Sequence, residues 1–260
     1  MDTISYNQLQ LREAFHLEFL RWLGRKVKGE YYAVKGGVNL RFFFKSFRYS
    51  EDMDLDVRGI KVIDLKEAVM KILDSAAFRD NLKPFGIERI IAPNIAVSKQ
   101  TETTQRFKVH LVSAAGVDLF TKIEFSRRGF AGNAVVESVS DTILRIYKLP
   151  PLLVPHYDIH STVSQKIRAL AGRRITQARD IFDLYVLSSQ YDDSASAAPP
   201  ERPDKDCLSK ARDNILEISF GVFRDTVVSY FSVEDQEIYN KPSSWEEVRL
   251  KTAAFVERFR

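Results

Sequence analysis

Cysteine is nearly absent from this chain of 260 residues, in which Cys207 stands alone. A single cysteine rules out an intrachain disulfide and a four-cysteine zinc site. No apolar run reaches the length needed to cross a bilayer. The first residues also lack the basic and apolar regions of a signal peptide. We therefore expect a cytoplasmic protein that has no membrane partner.

Histidine is scarce as well, with four in the chain. His156 and His160 have the spacing of a helical zinc pair, but Tyr157 stands where such zinc enzymes carry glutamate. Pro155 also suggests a turn at His156. These features argue against zinc chemistry.

Positive charge is in slight excess, since the formal net charge is +4. That value is modest for a nucleic-acid-binding protein, but basic residues cluster at residues 25–28, 127–128 and 173–179. Such clusters can follow a phosphate backbone, although each is also typical of a solvated surface. The length and a hydrophobic content of 45% suffice for one large domain or two modest lobes.

The most informative segment of the chain is an acidic strand. Residues 52–57 alternate aspartate with apolar residues, and this period of two predicts a strand at residues 53–57 whose apolar side chains face a core. Asp52, Asp54 and Asp56 would share the other face, with neighbours about 6–7 Å apart. Such carboxylates can hold the divalent metals that bridge nucleotide phosphates. A solvated acidic strand edge is the alternative.

A glycine pair, Gly36 and Gly37, stands between a predicted strand at residues 31–34 and a predicted helix at residues 38–45. Glycine lets the backbone approach a triphosphate closely. The free N–H groups at the start of the helix attract anions. Together with the acidic strand, this turn predicts a site for metal-assisted nucleotidyl transfer.

A further carboxylate, Glu124, shares one face of the predicted strand at residues 117–125 with Lys122. Glu124 could face the metal, or it could accept the proton of an attacking hydroxyl as a general base. A cross-strand ion pair is the alternative interpretation. Asp56 is the other candidate for a third metal-facing carboxylate.

Two predicted helices further along the chain carry complementary charges. Lys166 lies in the helix at residues 159–171, and Asp180 and Asp183 share one face of the helix at residues 178–188. Lys166 could contact a triphosphate as a point charge, and Asp180 could orient it. A helix–helix salt bridge is the alternative.

The remaining periodicity predicts how the chain is organised. Helices are predicted at residues 5–23, 64–78 (with Asp64 as N-cap), 207–231 and 244–259, strands at residues 87–92 and 104–113, and an exposed loop at residues 192–206. The pattern predicts an α/β (α+β) lobe with a mixed sheet at residues 1–150, followed by an all-helical lobe at residues 151–260.

Four sets of residues together resemble the AbiEii/AbiGii-type toxin nucleotidyltransferases of bacterial toxin–antitoxin and phage-defence systems. They are residues 35–37, 48–55, 122–124 and the helical pair 166–170 with 179–184. This family belongs to the polymerase-beta-like nucleotidyltransferase superfamily. The segments occur in family order across about residues 31–190. The gap from Gly37 to Asp52 is slightly longer than usual, and Glu124 stands where aspartate is frequent.

The resemblance implies a nucleotidyltransferase lobe followed by a helical lobe, and it implies roles for individual residues. The implied catalytic residues are Asp52, Asp54, Glu124, Lys166 and Asp180, of which Asp52, Asp54 and Glu124 would face magnesium. The implied nucleotide-binding residues are Gly36, Gly37, Arg48, Ser50, Lys166 and Asp183.

The resemblance also implies a function. The expected protein is a magnesium-dependent toxin that transfers a nucleoside monophosphate from an NTP to an RNA hydroxyl, foremost the tRNA 3′ acceptor end, and so blocks translation. A cognate antitoxin would act without a stable complex or by modifying the toxin. No segment selects among CTP, GTP, ATP and UTP, and the oligomeric state stays open. Transfer to a protein or to the toxin itself, as in AMPylation, and a non-catalytic nucleotide-binding module are the alternatives.

Overall fold

The computed structural model describes residues 6–192 and 202–260. The chain divides into two compact units, each assembled from separate stretches of sequence. The first unit contains Met1–Phe43, Tyr49–Phe130 and Ala134–His156, and the second contains Phe44–Arg48, Ala131–Asn133 and Tyr157–Arg260. The division into lobes at residues 1–150 and 151–260 stays a prediction.

The first unit is built on a mixed sheet, as predicted. Its strands are β1 (Tyr32–Lys35), β2 (Met53–Val57), β3 (Ile87–Ile91), β4 (Thr104–Ser113), β5 (Asp118–Ser126), β6 (Ala134–Ser138) and β7 (Leu153–Tyr157). Within the described residues, their order is β3-β4-β5-β2-β1-β7-β6. Strand β2 pairs with β1 on one side and with β5 on the other. The acidic strand therefore lies inside the sheet, and the alternative of a strand edge is wrong.

Strands β6 and β7 are not predicted from the sequence. Strand β6 is largely exposed and lacks the alternation of buried and exposed residues. Strand β7 contains Pro155, which cannot donate a hydrogen bond to a strand ladder. The pairing of β7 with β1 is brief, through Val34 and His156. The turn expected at His156 is therefore wrong, because this residue lies within β7.

The described part of the first unit contains five helices, and a side chain caps the start of two of them, at Asn7 and at Ser75. The five helices are α1 (Gln8–Lys26), α2 (Gly36–Phe43), α3 (Val62–Leu73), α4 (Ala76–Leu82) and α5 (Asp141–Ile146). Helix α1 opens with a capping box, in which the Asn7 side chain accepts from the Gln10 N–H and the Gln10 side chain accepts from the Asn7 N–H.

The single helix predicted at residues 64–78 is wrong. Helix α3 begins earlier, with Lys61 rather than Asp64 at its N-cap. A new helix, α4, then begins after Ser75, whose hydroxyl accepts a hydrogen bond from the Phe78 N–H. The polar cap at Ser75 offers the chain a second helix start that competes with continuation of the first.

The apolar side chains of the central strands fix the orientation of the acidic residues. Met53 and Leu55 of β2 and Ile123 of β5 are fully buried, and the core that contains them also contains Phe15 and Phe19 of α1. Burying a side chain of this size contributes about 1.5–3 kcal/mol. A register slip by one residue would expose this whole set, so Asp54 and Glu124 are held on the opposite face.

The second unit is helical, as predicted for the C-terminal part. Its helices are α6 (Ile159–Gly172), α7 (Ala178–Ser188), α8 (Lys205–Glu217), α9 (Phe220–Thr226), α10 (Val233–Tyr239) and α11 (Pro242–Glu257). The single helix predicted at residues 207–231 is wrong, because Ser219 ends it by capping α9. Of the predicted loop at residues 192–206, residues 193–201 lie outside the described residues.

None of the helices in the described ranges is both long and apolar enough to cross a membrane.

Candidate active site

Two carboxylates stand side by side on the central strands of the first unit. Asp54 of β2 pairs in parallel register with Glu124 of β5, and neighbouring strands are about 4.8 Å apart. Asp52 immediately precedes β2, two residues before Asp54. The structure therefore places the three carboxylates that the sequence proposes as metal-facing on two adjacent strands.

The surroundings of Asp54 disfavour the charged form of its carboxylate. Burial raises its pKa, and the nearby charges of Glu124 and Asp52 raise it further. The cations of Lys122 and Lys35 lower it, but they do not restore its ordinary value. An added cation beside Asp54 would therefore be stabilised electrostatically.

Lys122 binds Asp52 through both its backbone and its side chain. The Lys122 N–H donates to Oδ1 of Asp52 at 3.0 Å, and the ammonium lies 3.0 Å from Oδ2. The same ammonium lies 3.9 Å from Glu124, while Arg106 of β4 lies 2.7 Å from Glu124. The acidic group thus has its own counter-charges, which limit the repulsion between its members.

Asp56 has a different partner from the other aspartates. It is 2% exposed, and its Oδ1 accepts a hydrogen bond of 2.6 Å from the ammonium of Lys35. Lys35 in turn pairs with Asp54 in the antiparallel register of β1 and β2. The ion pair links the end of β1, where the chain enters the glycine turn, to the acidic strand.

The glycine turn approaches the acidic strand closely. Gly36 has a φ of +69°, and a Cβ at this position would lie 3.2 Å from Oδ2 of Asp54. Gly36 and Gly37 form the first turn of α2. Only glycine combines this left-handed backbone with the narrow space beside Asp54. The structure therefore places the glycine turn directly beside the acidic strand.

Ser50 and Thr121 fix the chain on either side of Asp52. The Ser50 hydroxyl donates to the Asp52 carbonyl at 2.8 Å, and the Thr121 hydroxyl donates to the Glu51 carbonyl at 2.6 Å. Because the Thr121 proton is already used, His16 must donate its Nε2–H to the Thr121 oxygen at 2.8 Å. Burial lowers the pKa of His16 to about 3, so the ring is neutral.

A second cluster of predicted residues lies in the helical unit. The Lys166 ammonium is 2.8 Å from Asp180 and 2.5 Å from Asp183. Arg48 donates to Asp183 from Nε and Nη2 at 3.1–3.3 Å. All four residues are more than nine-tenths buried. Lys166 and Asp180 therefore form the helix–helix ion pair that the sequence offers as the alternative interpretation.

The charges of this cluster stabilise one another. Burial alone would raise the pKa of Asp183, but Arg48 and Lys166 outweigh that effect and hold the pKa below its ordinary value. Burial would lower the pKa of Lys166, but Asp180 and Asp183 raise it. The lysine is therefore a permanent cation at neutral pH. Arg173 adds a contact of 3.3 Å with Asp180.

Several residues of the acidic site are not found by sequence reasoning. Lys35 and Arg106 provide counter-charges, and His16 and Thr121 form the hydrogen-bonded support beneath Asp52. Arg106 faces Glu124 because the β4–β5 hairpin pairs these two positions. Its signal in the sequence is alternation along β4, but that signal becomes specific only when the hairpin register is known.

Comparison with solved structures places the fold in a known class. JHP933 from Helicobacter pylori matches with a TM-score of 0.59 and 19% identity over 98% of this chain and 93% of its own. MenT4, a nucleotidyltransferase toxin from Mycobacterium tuberculosis H37Rv, matches with a TM-score of 0.58 and 16% identity over 96% and 82%, respectively. No curated protein matches the sequence.

The family follows from the sequence itself. Residues 18–237 match the model of the nucleotidyl transferase AbiEii toxin family of type IV toxin–antitoxin systems. The chain belongs to this family, and the resemblance inferred from the four segments is confirmed. It is thus a nucleotidyltransferase toxin with an NTP substrate and a cognate antitoxin.

Proposed function

We propose that the protein transfers a nucleoside monophosphate from an NTP to a hydroxyl of RNA, with the 3′ acceptor end of tRNA as the foremost target, and so blocks translation. The observation that carries this proposal is the group formed by Asp52, Asp54 and Glu124 beside the glycine turn. Both substrates occur in the cytoplasm, where we place the reaction.

Magnesium fits the donor set on the acidic strand. The described residues contain no group of three or more His, Cys, Asp or Glu side chains gathered to hold a metal ion. Magnesium does not need such a group, because it usually keeps several waters and binds one or two carboxylates plus substrate phosphates. Asp52 and Asp54 supply two carboxylates, and the negative charges of Asp52 and Glu124 near Asp54 favour an added cation there.

In this proposal Asp52 and Asp54 would hold magnesium, which neutralises charge on the triphosphate when bound. The glycine turn and the first N–H groups of α2 would bind phosphate oxygens. Ser50 would keep Asp52 in place through its hydrogen bond to the Asp52 carbonyl. Glu124 would be the third carboxylate of the group, because its register places it beside Asp54, whereas Asp56 is committed to Lys35.

The reaction needs one bond to form and one to break. The RNA hydroxyl oxygen attacks the α-phosphorus, the bond from that phosphorus to the bridging oxygen breaks, and pyrophosphate leaves. The hydroxyl proton passes to a carboxylate, and Glu124 is the candidate base. Arg106 orients Glu124 from the neighbouring strand at 2.7 Å.

We further propose that the buried cluster keeps two cations charged and ordered for phosphate contact. Asp180 and Asp183 hold the Lys166 ammonium from two sides, and Asp183 holds Arg48. The raised pKa of Lys166 supports its role as a positive charge. Exposed arginines at residues 173, 174 and 179 of the same unit would attract the RNA backbone.

The proposal is tested by offering each of the four α-labelled NTPs, with magnesium, to the protein and total tRNA. Label on tRNA, with one NTP preferred, is the expected result. Label on the protein alone would replace the RNA acceptor by self-modification. Nucleotide binding without pyrophosphate release would indicate a non-catalytic module. The cognate antitoxin, added before the NTP, should lower the labelling, and gel filtration would test our proposal that it forms no stable complex.

A further inference from the structure

The helical unit contains a cavity of about 540 Å³ that includes none of the residues assigned to catalysis. Its lining combines aromatic rings with cations: Lys45, Phe47, Tyr185, Tyr239 and Lys251. The volume lies within the range of small-molecule sites. Aromatic surfaces and cations are the two features by which proteins bind single-stranded nucleic acid without reading its sequence.

Lys45 has an unusual backbone conformation for a lysine. Among the non-glycine residues that the structure describes, only Lys45 and Lys148 have a positive φ, and the value at Lys45 is 52°. Glycine or asparagine would adopt this left-handed conformation more easily. The Lys45 side chain is exposed. Within residues 6–192 and 202–260 no carboxylate forms an ion pair with it. A strained position that still carries an uncompensated cation points to a ligand.

The aromatic wall of the cavity is held in place by packing. The ring of Phe47 lies 5.2 Å from that of Phe182 and 5.2 Å from that of Tyr239. Burial and a hydrogen bond with Tyr185 raise the pKa of Tyr239 to about 12, so the hydroxyl stays protonated. Tyr185 and Tyr239 are partly exposed. They present ordered ring surfaces on which a base could stack.

Lys251 supplies the second cation of the cavity. It pairs with Glu247 at 2.6 Å, but both side chains are more than half exposed. Exposed pairs of this kind are weak, and a phosphate can therefore compete with Glu247. Gln190 is less available, because its amide nitrogen donates to the Phe44 carbonyl at 2.7 Å.

We propose that this cavity binds one nucleotide of a single-stranded RNA, with its base against Tyr185 and Tyr239 and its phosphate beside Lys45 and Lys251. The inference rests on the proposed function in taking RNA as the acceptor, and it adds a place where the RNA is held. Because the hydroxyls of Ser188 and Ser189 and the amide nitrogen of Gln190, which also line the cavity, donate to backbone carbonyls, the site would accept any base.

The test measures binding directly, by fluorescence anisotropy of labelled tRNA and of a labelled single-stranded octaribonucleotide. Lys45→Asn removes the charge and suits the left-handed backbone, whereas Lys45→Arg keeps the charge. Tyr185→Leu removes the ring, and Tyr185→Phe keeps it. Lys210→Asn is the matched loss of an exposed lysine elsewhere in the same unit. Unfolding curves confirm that each variant is folded.

For both RNAs, Lys45→Asn and Tyr185→Leu should each raise Kd about tenfold. Lys45→Arg, Tyr185→Phe and Lys210→Asn should stay within about threefold of the wild type. The slope of log Kd against log salt should fall by about 0.7 in Lys45→Asn, as expected for one lost phosphate contact. The Kd of the magnesium–NTP complex should not change in either variant.

Three results would overturn the proposal: wild-type affinity in Lys45→Asn or Tyr185→Leu, weakened NTP binding in those variants, or no binding of either RNA by the wild type. The outcome is separable from that of the proposed function. If the wild type labels tRNA and Lys45→Asn labels it equally well at limiting RNA, the cavity assignment fails alone. If the wild type labels only protein, the function fails, and the anisotropy titration still decides the cavity.

Discussion

Oδ2 of Asp54 lies 3.2 Å from the point that a Cβ on residue 36 would occupy, so Gly36 and Asp54 cannot be varied independently. This close approach ties the glycine turn to the carboxylate that our proposal assigns to magnesium. Each of the two motifs is weak evidence of function in the sequence, because glycine turns and acidic strands are both common. Because the glycine turn lies beside Asp54 in the structure, the two motifs form one site.

Gly36→Ala should therefore abolish most activity. Alanine is strained at a φ of +69° and also pushes against Asp54. We expect a loss of about 1–2 kcal/mol in unfolding free energy and at least about a hundredfold loss in label transfer, since small displacements of this kind cost about that much.

Gly116→Ala is the control for this prediction. Gly116 also has a positive φ, of +75°, but nothing lies within 4 Å of an added Cβ. Urea unfolding should show a similar destabilisation for both variants, with transfer retained only in Gly116→Ala. Equal activity of the two variants would show that Gly36 is not part of the active site.

Lys122→Met should couple stability to magnesium. Removing the ammonium leaves Asp52, Asp54 and Glu124 without a shared counter-charge, and we expect a loss of about 1 kcal/mol without metal. Magnesium should then raise the melting temperature more in Lys122→Met than in the wild type, because the ion replaces the missing charge.

Lys108→Met serves as the comparison, since Lys108 is an exposed lysine directly opposite Lys122 in the β4–β5 register. It should respond to magnesium as the wild type does. A melting temperature that magnesium leaves unchanged in Lys122→Met would argue against a metal at the carboxylates.

His16 should make the fold sensitive to acid. Its pKa is about 3 in the folded protein and about 6.5 when unfolded, so below pH 6.5 the unfolded chain binds a proton that the native chain does not. Stability is therefore complete above pH 6.5 and falls as pH decreases toward 3, by up to about 1.4 kcal/mol per pH unit from this group.

His16→Gln should flatten the fall of unfolding free energy between pH 6 and pH 4, as measured by urea denaturation at each pH. His110→Gln, at a partly exposed histidine bound to Asp118, should not reproduce the flattening. If His16→Gln keeps the wild-type pH slope, the neutral buried ring is the wrong assignment.

Asp183→Asn should be the more damaging of two matched substitutions in the buried cluster. Asp183 pairs with two buried cations, Arg48 and Lys166, and breaking a buried pair typically costs about 3–5 kcal/mol. Asp180→Asn should lower the unfolding free energy less. One of its two cations, Arg173, is 38% exposed, and the other, Lys166, keeps its ion pair with Asp183. Chemical unfolding of both variants ranks the two costs, and the reverse order would contradict the geometry.

The sequence predicts those parts of the fold that depend on local pattern. Strand β2 and the long strand β4 follow from alternation alone, and their predicted bounds agree with the structure. Strand β7 could not be found in this way, because Pro155 is a local signal against a strand and the pairing through Val34 is a long-range event. The helix break at Ser219 has no proline, and the nearest glycine, Gly221, lies inside α9, so serine alone is a weak stop signal.

Some residues of the candidate site can likewise be predicted from local pattern, and others cannot. Asp52 and Asp54 are visible because carboxylates repeat at even spacing on one strand face, and Glu124 is visible because it shares a strand face with Lys122. Arg106 is not visible as a counter-charge, because it reaches Glu124 across a hairpin. Lys122 is visible beside Glu124, but its ion pair with Asp52 depends on the pairing of neighbouring strands. Sequence spacing shows which residues can share one face of a strand. The register between neighbouring strands determines which of those residues lie close together.

The most direct test of the central claim is mass spectrometry of tRNA 3′-terminal fragments after incubation with NTPs and magnesium. Asp52→Asn is compared with Glu51→Gln, an adjacent substitution that also removes one negative charge. Our account predicts a fragment heavier by one nucleotide with the wild type and with Glu51→Gln, and an unchanged fragment with Asp52→Asn. An added nucleotide that persists in Asp52→Asn, or tRNA that is unmodified while the protein gains the nucleotide, would contradict it.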